Sequence, residues 1–278
     1  MINDSNTNFL YLADTLPIKF PKFYNEFSKI LKQNKVDFEL LPKTKDVWAR
    51  DYMPVQNSLR QLINFQYDPD YLKNKKYTKL KTNPLHVCKA LKLETVYSPI
   101  ILDGGNIVHR GNKALFCDKL IYENKNVYLP ILIETLRWTL RVNHVFFIPT
   151  PKDDLFGHAD GILRFVNNTT VLINDFSKED PEYRKLLIYA LNQMKLNYIE
   201  IPYVVSQNKT IQSAQGVYIN FLQMKGKIFL PIYDLMEDKQ VIEIFRKYFP
   251  KTKIIPVNCN DIAKEGGALN CISWTISK

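Results

Sequence analysis

No apolar run in this 278-residue chain approaches the roughly 18 to 20 residues that cross a bilayer, so a membrane-spanning helix is not expected. The N-terminal stretch MINDSNTNFLYLADTLP has no basic region followed by an apolar one, so no secretory leader is expected either. Cysteine is sparse. Cys88, Cys117, Cys259 and Cys271 are far apart and form no CxxC pair, which argues against a zinc site and a disulfide framework. A reducing cytoplasm suits four separate thiols. Histidine is sparse too, and without an HExxH-like pattern no metal site is expected. No Pro-, Gly- or Ser-rich linker is long enough to divide the chain, so one closed domain over residues 1–278 is expected.

What the chain has in excess is positive charge, formally +10, with 46% hydrophobic and 24% charged residues. The balance is that of a globular protein rather than a disordered one. The lysines are scattered, the densest group being Lys73, Lys75, Lys76, Lys79 and Lys81, with no aromatic-interleaved basic stripe. A solvated basic surface is therefore favoured over a nucleic-acid site.

One unit recurs five times: strand, helix, strand, then a further strand opened by a Gly-rich or acidic motif. Approximate bounds are 9–57, 58–112, 113–168, 169–221 and 222–278. The helical stretches carry apolar residues at i, i+3 and i+4, as at Phe23, Phe27, Ile30 and Leu31, whereas the strands are short and β-branched or aromatic. The motif anchors Asp51, Asp103, His158, Gly216 and Gly267 are separated by 52, 55, 58 and 51 residues, a period of about 54. Such regularity marks a repeat architecture, and the expected fold is α/β, a five-bladed α/β-propeller of pseudo-fivefold ββαβ repeats. In a radial array the equivalent strand of each blade points its end at the axis. Trp48–Asp51, Asp103–Asn106, His158–Asp160 and Gly266–Cys271 should then meet, while the fourth repeat offers only GVYIN, which reads as structural.

The chemistry follows from the residue types. Cys271 follows GGALN, where two glycines allow close backbone approach. His158 and Asp160 flank one alanine, so on a strand both would face one side. A thiol, an imidazole and several carboxylates suit attack on a carbon that already carries positive charge, and a guanidinium is such a carbon. Two carboxylates can hold its planar N–H fork. A thiolate attacks the carbon, an imidazolium protonates the departing nitrogen, and neutral imidazole then activates water. Each motif also has a bland reading. Cys271 could be a small buried hydrophobe, HxD a structural hydrogen bond, and WxRD a buried aromatic beside an ion pair. Their equivalent placement in the repeat favours function. His86, His109 and His144 lack a nearby acidic partner in sequence and read as structural, and a papain-like protease is disfavoured by chain order and by the residues around the cysteine.

In that order, VWARDYMP, LDGGNIV, GHADGILRF and GGALNCIS resemble the agmatine deiminase family and its bacterial peptidylarginine-deiminase-like relatives, over roughly Asp46 to Trp274. The resemblance implies the pentein fold and hydrolysis of agmatine to N-carbamoylputrescine and ammonia, a step toward putrescine and the polyamines, without metal or cofactor. It further implies Cys271 as nucleophile, His158 as general acid/base, and Asp51 and Asp160 as guanidinium-binding carboxylates in the catalytic set. Trp48 would form part of the substrate wall, with Asp103 and Asn106 lining the same channel. The residue before the cysteine is Asn270, where the family usually has histidine. Three functions remain open: an agmatine deiminase; a deiminase of arginine, methylarginine or peptidylarginine; and a non-catalytic pentein-fold binding protein. Homo-oligomer formation is also open.

Overall fold

The computed structural model describes residues 1–204 and 213–278. Five helices of seven to thirteen residues recur along the chain: Pro21–Gln33, Pro84–Ala90, Leu129–Leu140, Pro181–Gln193 and Glu237–Tyr248. Local chemistry sets their ends. Proline stands in the first two positions of the first four, where its missing N–H has no intrahelical partner to lose. Glu237 and Asp238 open the fifth, complementing the helix dipole. The first four are followed by Lys35, Lys92, Arg141 and Lys195, each in the left-handed region, and a cation there complements the helix C-terminus. Each helix buries one stripe, such as Phe23, Phe27 and Leu31, or Leu132, Leu136 and Leu140.

The described strands form five three-stranded mixed sheets. In each, two parallel strands are joined through one of these helices: Phe9–Ala13 with Asp37–Leu41, Leu62–Gln66 with Thr95–Ile101, Lys113–Cys117 with His144–Ile148, Thr170–Asn174 with Asn197–Ile201, and Lys227–Ile232 with Lys253–Asn258. Parallel strands need such a crossover. The third strand pairs antiparallel and comes from the preceding repeat. Val55–Gln56, for example, leaves the first repeat to pair with Leu62–Ile63 of the second. Sequence repeat and sheet are thus offset by one strand.

The offset closes the chain on itself. Ser273–Ile276 pairs with Phe9–Leu12, so the first sheet is completed by the last strand. Behind it the first and last repeats share one apolar core, with Phe27 meeting Phe229 edge to face at 5.9 Å. Among the described residues no helix is long and apolar enough to cross a membrane.

One expectation fails locally. The motif-bearing stretches were expected as strands, but the chain makes a helical turn before each shortened outer strand. Ala49–Tyr52 precedes Val55–Gln56, Gly104–Asn106 precedes Val108–Arg110, and Ala159–Gly161 precedes Leu163–Phe165.

Candidate active site

These turns carry the sequence motifs, and hydrogen bonds and close contacts join them. His158 lies at the N-cap of its 3-10 turn with extended backbone, while Asp160 sits inside the turn. With about three residues per turn, side chains two apart diverge. The two therefore do not face one side as on a strand. His158 meets Asp51 and Asp103, with Nδ1 3.6 Å from Asp51 Oδ1 and Nε2 3.1 Å from Asp103 Oδ2. Asp160 instead accepts a 2.5 Å bond from Asn270 Nδ2, beside Cys271. The Arg50 N–H donates to the Cys271 carbonyl at 3.0 Å, tying the first motif to the last.

Two glycines make room for the approach. A Cβ on Gly105 would lie 2.6 Å from Asp51 Oδ1 and 2.7 Å from His158 Nδ1. One on Gly267 would lie 2.4 Å from the Trp48 ring, which packs there at the edge of the turn that carries the thiol. Only a bare backbone fits either place.

The fourth repeat is not silent, as its GVYIN motif suggested. Asn220 Oδ1 accepts the backbone N–H groups of Ala268, Asn270 and Cys271 at 3.1–3.2 Å, and its Nδ2 donates to Cys271 Sγ at 3.0 Å. One amide thus builds the turn that presents the thiol. The available signal was positional: Asn220 and Cys271 each stand two residues before the outer strand of their repeat. Asn106 shares that position, yet both ends of its amide are engaged by the Cys117 backbone, at 2.7 and 3.4 Å. It braces the third sheet, at the end of Lys113–Cys117, rather than presenting a free group to substrate. Replacing Asn220 with alanine leaves the Ala268 and Cys271 N–H groups unpaired, while Asn270 keeps its bond to the backbone carbonyl of residue 220 at 3.0 Å. Each lost bond costs about 1 kcal/mol, so thermal unfolding should show a loss of about 2 to 4 kcal/mol, with slower alkylation of Cys271.

Asp51, Asp103 and Asp160 are all buried, and each has an Oδ1 with no hydrogen-bond partner. Buried acceptors are rarely left open, and three around one imidazole and one thiol form a receptor for N–H donors. Burial foremost, with the charges of Asp103, Asp160 and Asp46, pushes Asp51 up to about 8 against the pull of His158. Burial opposes the His158 imidazolium, but Asp51, Asp103 and Asp160 outweigh it and raise it to about 10. The Cys271 thiol is pushed up by burial and then by Asp160 and Asp51, opposed by bonds from Asn220 and a backbone N–H. The site thus sets a protonated imidazole and a neutral thiol among three buried aspartates. Among the described residues no group of three or more His, Cys, Asp or Glu side chains is placed to hold a metal ion.

The model of the Porphyromonas-type peptidyl-arginine deiminase family matches residues 21–276. An agmatine deiminase of Pseudomonas aeruginosa is 25% identical over 206 residues, covering 62% of this chain and 56% of that protein. The C. jejuni agmatine deiminase superposes with a TM-score of 0.82 at 18% identity, over 100% of this chain and 95% of that one. A cysteine-to-serine variant of the C. jejuni enzyme with substrate bound gives 0.80 at 18% identity, over 100% and 96%. At such identities the superpositions establish the fold, the five-bladed α/β-propeller expected from the repeat.

Proposed function

The chain belongs to the Porphyromonas-type peptidyl-arginine deiminase family, and on that premise we propose that it hydrolyses a guanidinium, agmatine first, to the ureido product and ammonia. The observation that carries this reading is the set of three buried carboxylates, each with an open oxygen, around His158 and Cys271. A guanidinium is the planar cation whose N–H groups match such acceptors, and burying it is tolerable only where fixed carboxylates replace its water. Asp51 and Asp160 hold it. Its charge offsets theirs and lets Cys271 ionise. The thiolate adds to the central carbon, His158 protonates the departing nitrogen, and ammonia leaves a thiouronium on sulfur. Neutral His158 then takes a proton from water, whose oxygen adds to that carbon, and the C–S bond breaks to return the thiolate.

An amine-bearing tail is favoured over a carboxylate by the arginines. Those whose charge reaches Asp160, namely Arg50 and Arg164, are engaged by Asn270 and by Asp4 and the Phe221 carbonyl. Neither is left to clamp an α-carboxylate, and the agmatine deiminases among the relatives point the same way. All four cysteines are free thiols, which fits a reducing compartment. A colorimetric ureido-product assay across agmatine, arginine, methylarginine and an arginyl peptide tests the proposal. Agmatine should give the highest kcat/KM, by roughly tenfold or more. An arginyl peptide in first place would sink the agmatine reading, and no turnover of any guanidine would favour a binding protein.

A further inference from the structure

Resting on the catalytic reading of this site, we infer that Tyr71 is a positioning residue for it, its hydroxyl fixing the Asp103 carboxylate that holds His158. The Tyr71 hydroxyl donates to Asp103 Oδ2 at 2.8 Å, and His158 Nε2 lies 3.1 Å from the same oxygen. One carboxylate oxygen therefore serves two donors, while Asp103 Oδ1 stays without a partner. Burial, and after it the charge of Asp103, keeps the Tyr71 phenol un-ionised, so its proton stays available for the bond to Asp103. Fixing Asp103 fixes the imidazole, because the carboxylate decides which ring nitrogen is held and in what plane.

Tyr71 is itself held. It lies on the single turn Asp70–Leu72, in the connection between the strand Leu62–Gln66 and the helix Pro84–Ala90. Its ring meets Phe156 edge-on at 5.0 Å and His158 at 6.1 Å. Lys119 closes the cluster. Its Nζ stands 5.1 Å above the Tyr71 ring and donates to Asp70 Oδ1 at 2.8 Å, the Leu155 carbonyl at 2.7 Å and the Phe156 carbonyl at 3.2 Å. That one ammonium ties the Tyr71 turn to the loop leading into His158, so the two donors to Asp103 move as a unit.

The variants Tyr71→Phe and Tyr71→Ala separate hydroxyl from ring. Two readouts are needed: steady-state kinetics on agmatine, and an NMR titration of ¹⁵N-histidine-labelled protein, with the His158 signals assigned by their loss in His158→Asn. The charged groups that bear on that titration are Asp51, Asp103, Asp160 and Glu123 around the imidazole, together with the thiol of Cys271 and, over the tyrosine ring, Lys119. Tyr71→Phe keeps the ring wall and removes one donor. Its kcat should fall about ten- to a hundredfold, with KM within about threefold of wild type. Proton loss from His158 should move to higher pH, because Asp103 Oδ2 then serves the imidazolium alone. Tyr71→Ala should also raise KM, since the aromatic wall goes with it. An unchanged kcat and an unmoved His158 titration in Tyr71→Phe would overturn the inference. So would a fall in kcat matched by a rise in KM with the titration unmoved, which would make Tyr71 a wall residue only. If the wild type turns over no guanidine, the titration alone decides: a moved His158 signal retains the positioning contact while the deiminase reading falls, and an unmoved one ends both.

Discussion

Cys271→Ala and Cys271→Ser should each lower kcat on agmatine by about 10⁴-fold or more while the protein stays folded. A thiol can be ionised by a neighbouring substrate cation, but a serine hydroxyl in the same place has no base strong enough to ionise it. The fold should survive because the side chain is small and its sulfur accepts a 3.0 Å hydrogen bond from Asn220 Nδ2, with a backbone N–H beside it. Serine can accept that bond. Alanine leaves the amide proton unpaired, a loss of about 1 to 2 kcal/mol that thermal unfolding will register. The other three thiols offer no substitute. Cys88, Cys117 and Cys259 are buried, and burial pushes all three up, Cys88 to about 11. Turnover by the alanine variant within about tenfold of wild type would end the cysteine mechanism.

The second large effect is expected at the carboxylates. Asp51→Asn and Asp160→Asn keep the shape of the site but remove one charge and one acceptor each. Breaking a buried charged pair costs about 3 to 5 kcal/mol, so kcat/KM for agmatine should fall at least about a hundredfold. Neutral urea analogues should bind the variants nearly as well as wild type, because only the cation needs the charge. The empty protein should respond in the opposite sense. The Asp51 carboxyl titrates at about 8 when folded, against about 3.9 unfolded. A raised group of this kind stabilises the fold below the unfolded value, and that contribution is lost as pH climbs toward the folded one. Asp51→Asn should therefore unfold at a temperature close to wild type at pH 4, and higher by at least several degrees at pH 8. A thermal melt at the two pH values checks the sign, and a variant less stable at pH 8 than at pH 4 relative to wild type would refute it.

Much of the fold is legible in the sequence, and the reasons are physical. The five helices announced themselves through apolar spacing and through prolines such as Pro21 and Pro181 at their starts. The parallel strand pairs followed from the strand–helix–strand order. The offset of sheet from repeat was hidden, because nothing local tells Val55–Gln56 to pair with the strand after it rather than the strands before it. The helical turns at Asp51, Gly105 and Asp160 were hidden too, since one turn is too short to show a period. The meeting of Cys271, His158, Asp51 and Asp160 was readable from the repeat alone. Asn220 was not, because an amide's role depends on which backbone groups a turn leaves open. Tyr71 lies in a connection outside the repeat pattern and carried no signal at all.

The central claim is that Cys271 is a thiol made reactive by a guanidinium-like cation held between carboxylates. It is tested most directly by comparing inactivation rates with chloroacetamidine and chloroacetamide, which have the same shape and differ in charge. The amidine should inactivate about a hundredfold faster or more, with one equivalent on the Cys271 peptide and protection by agmatine. Comparable rates for the two reagents, or a label on another cysteine, would contradict the account.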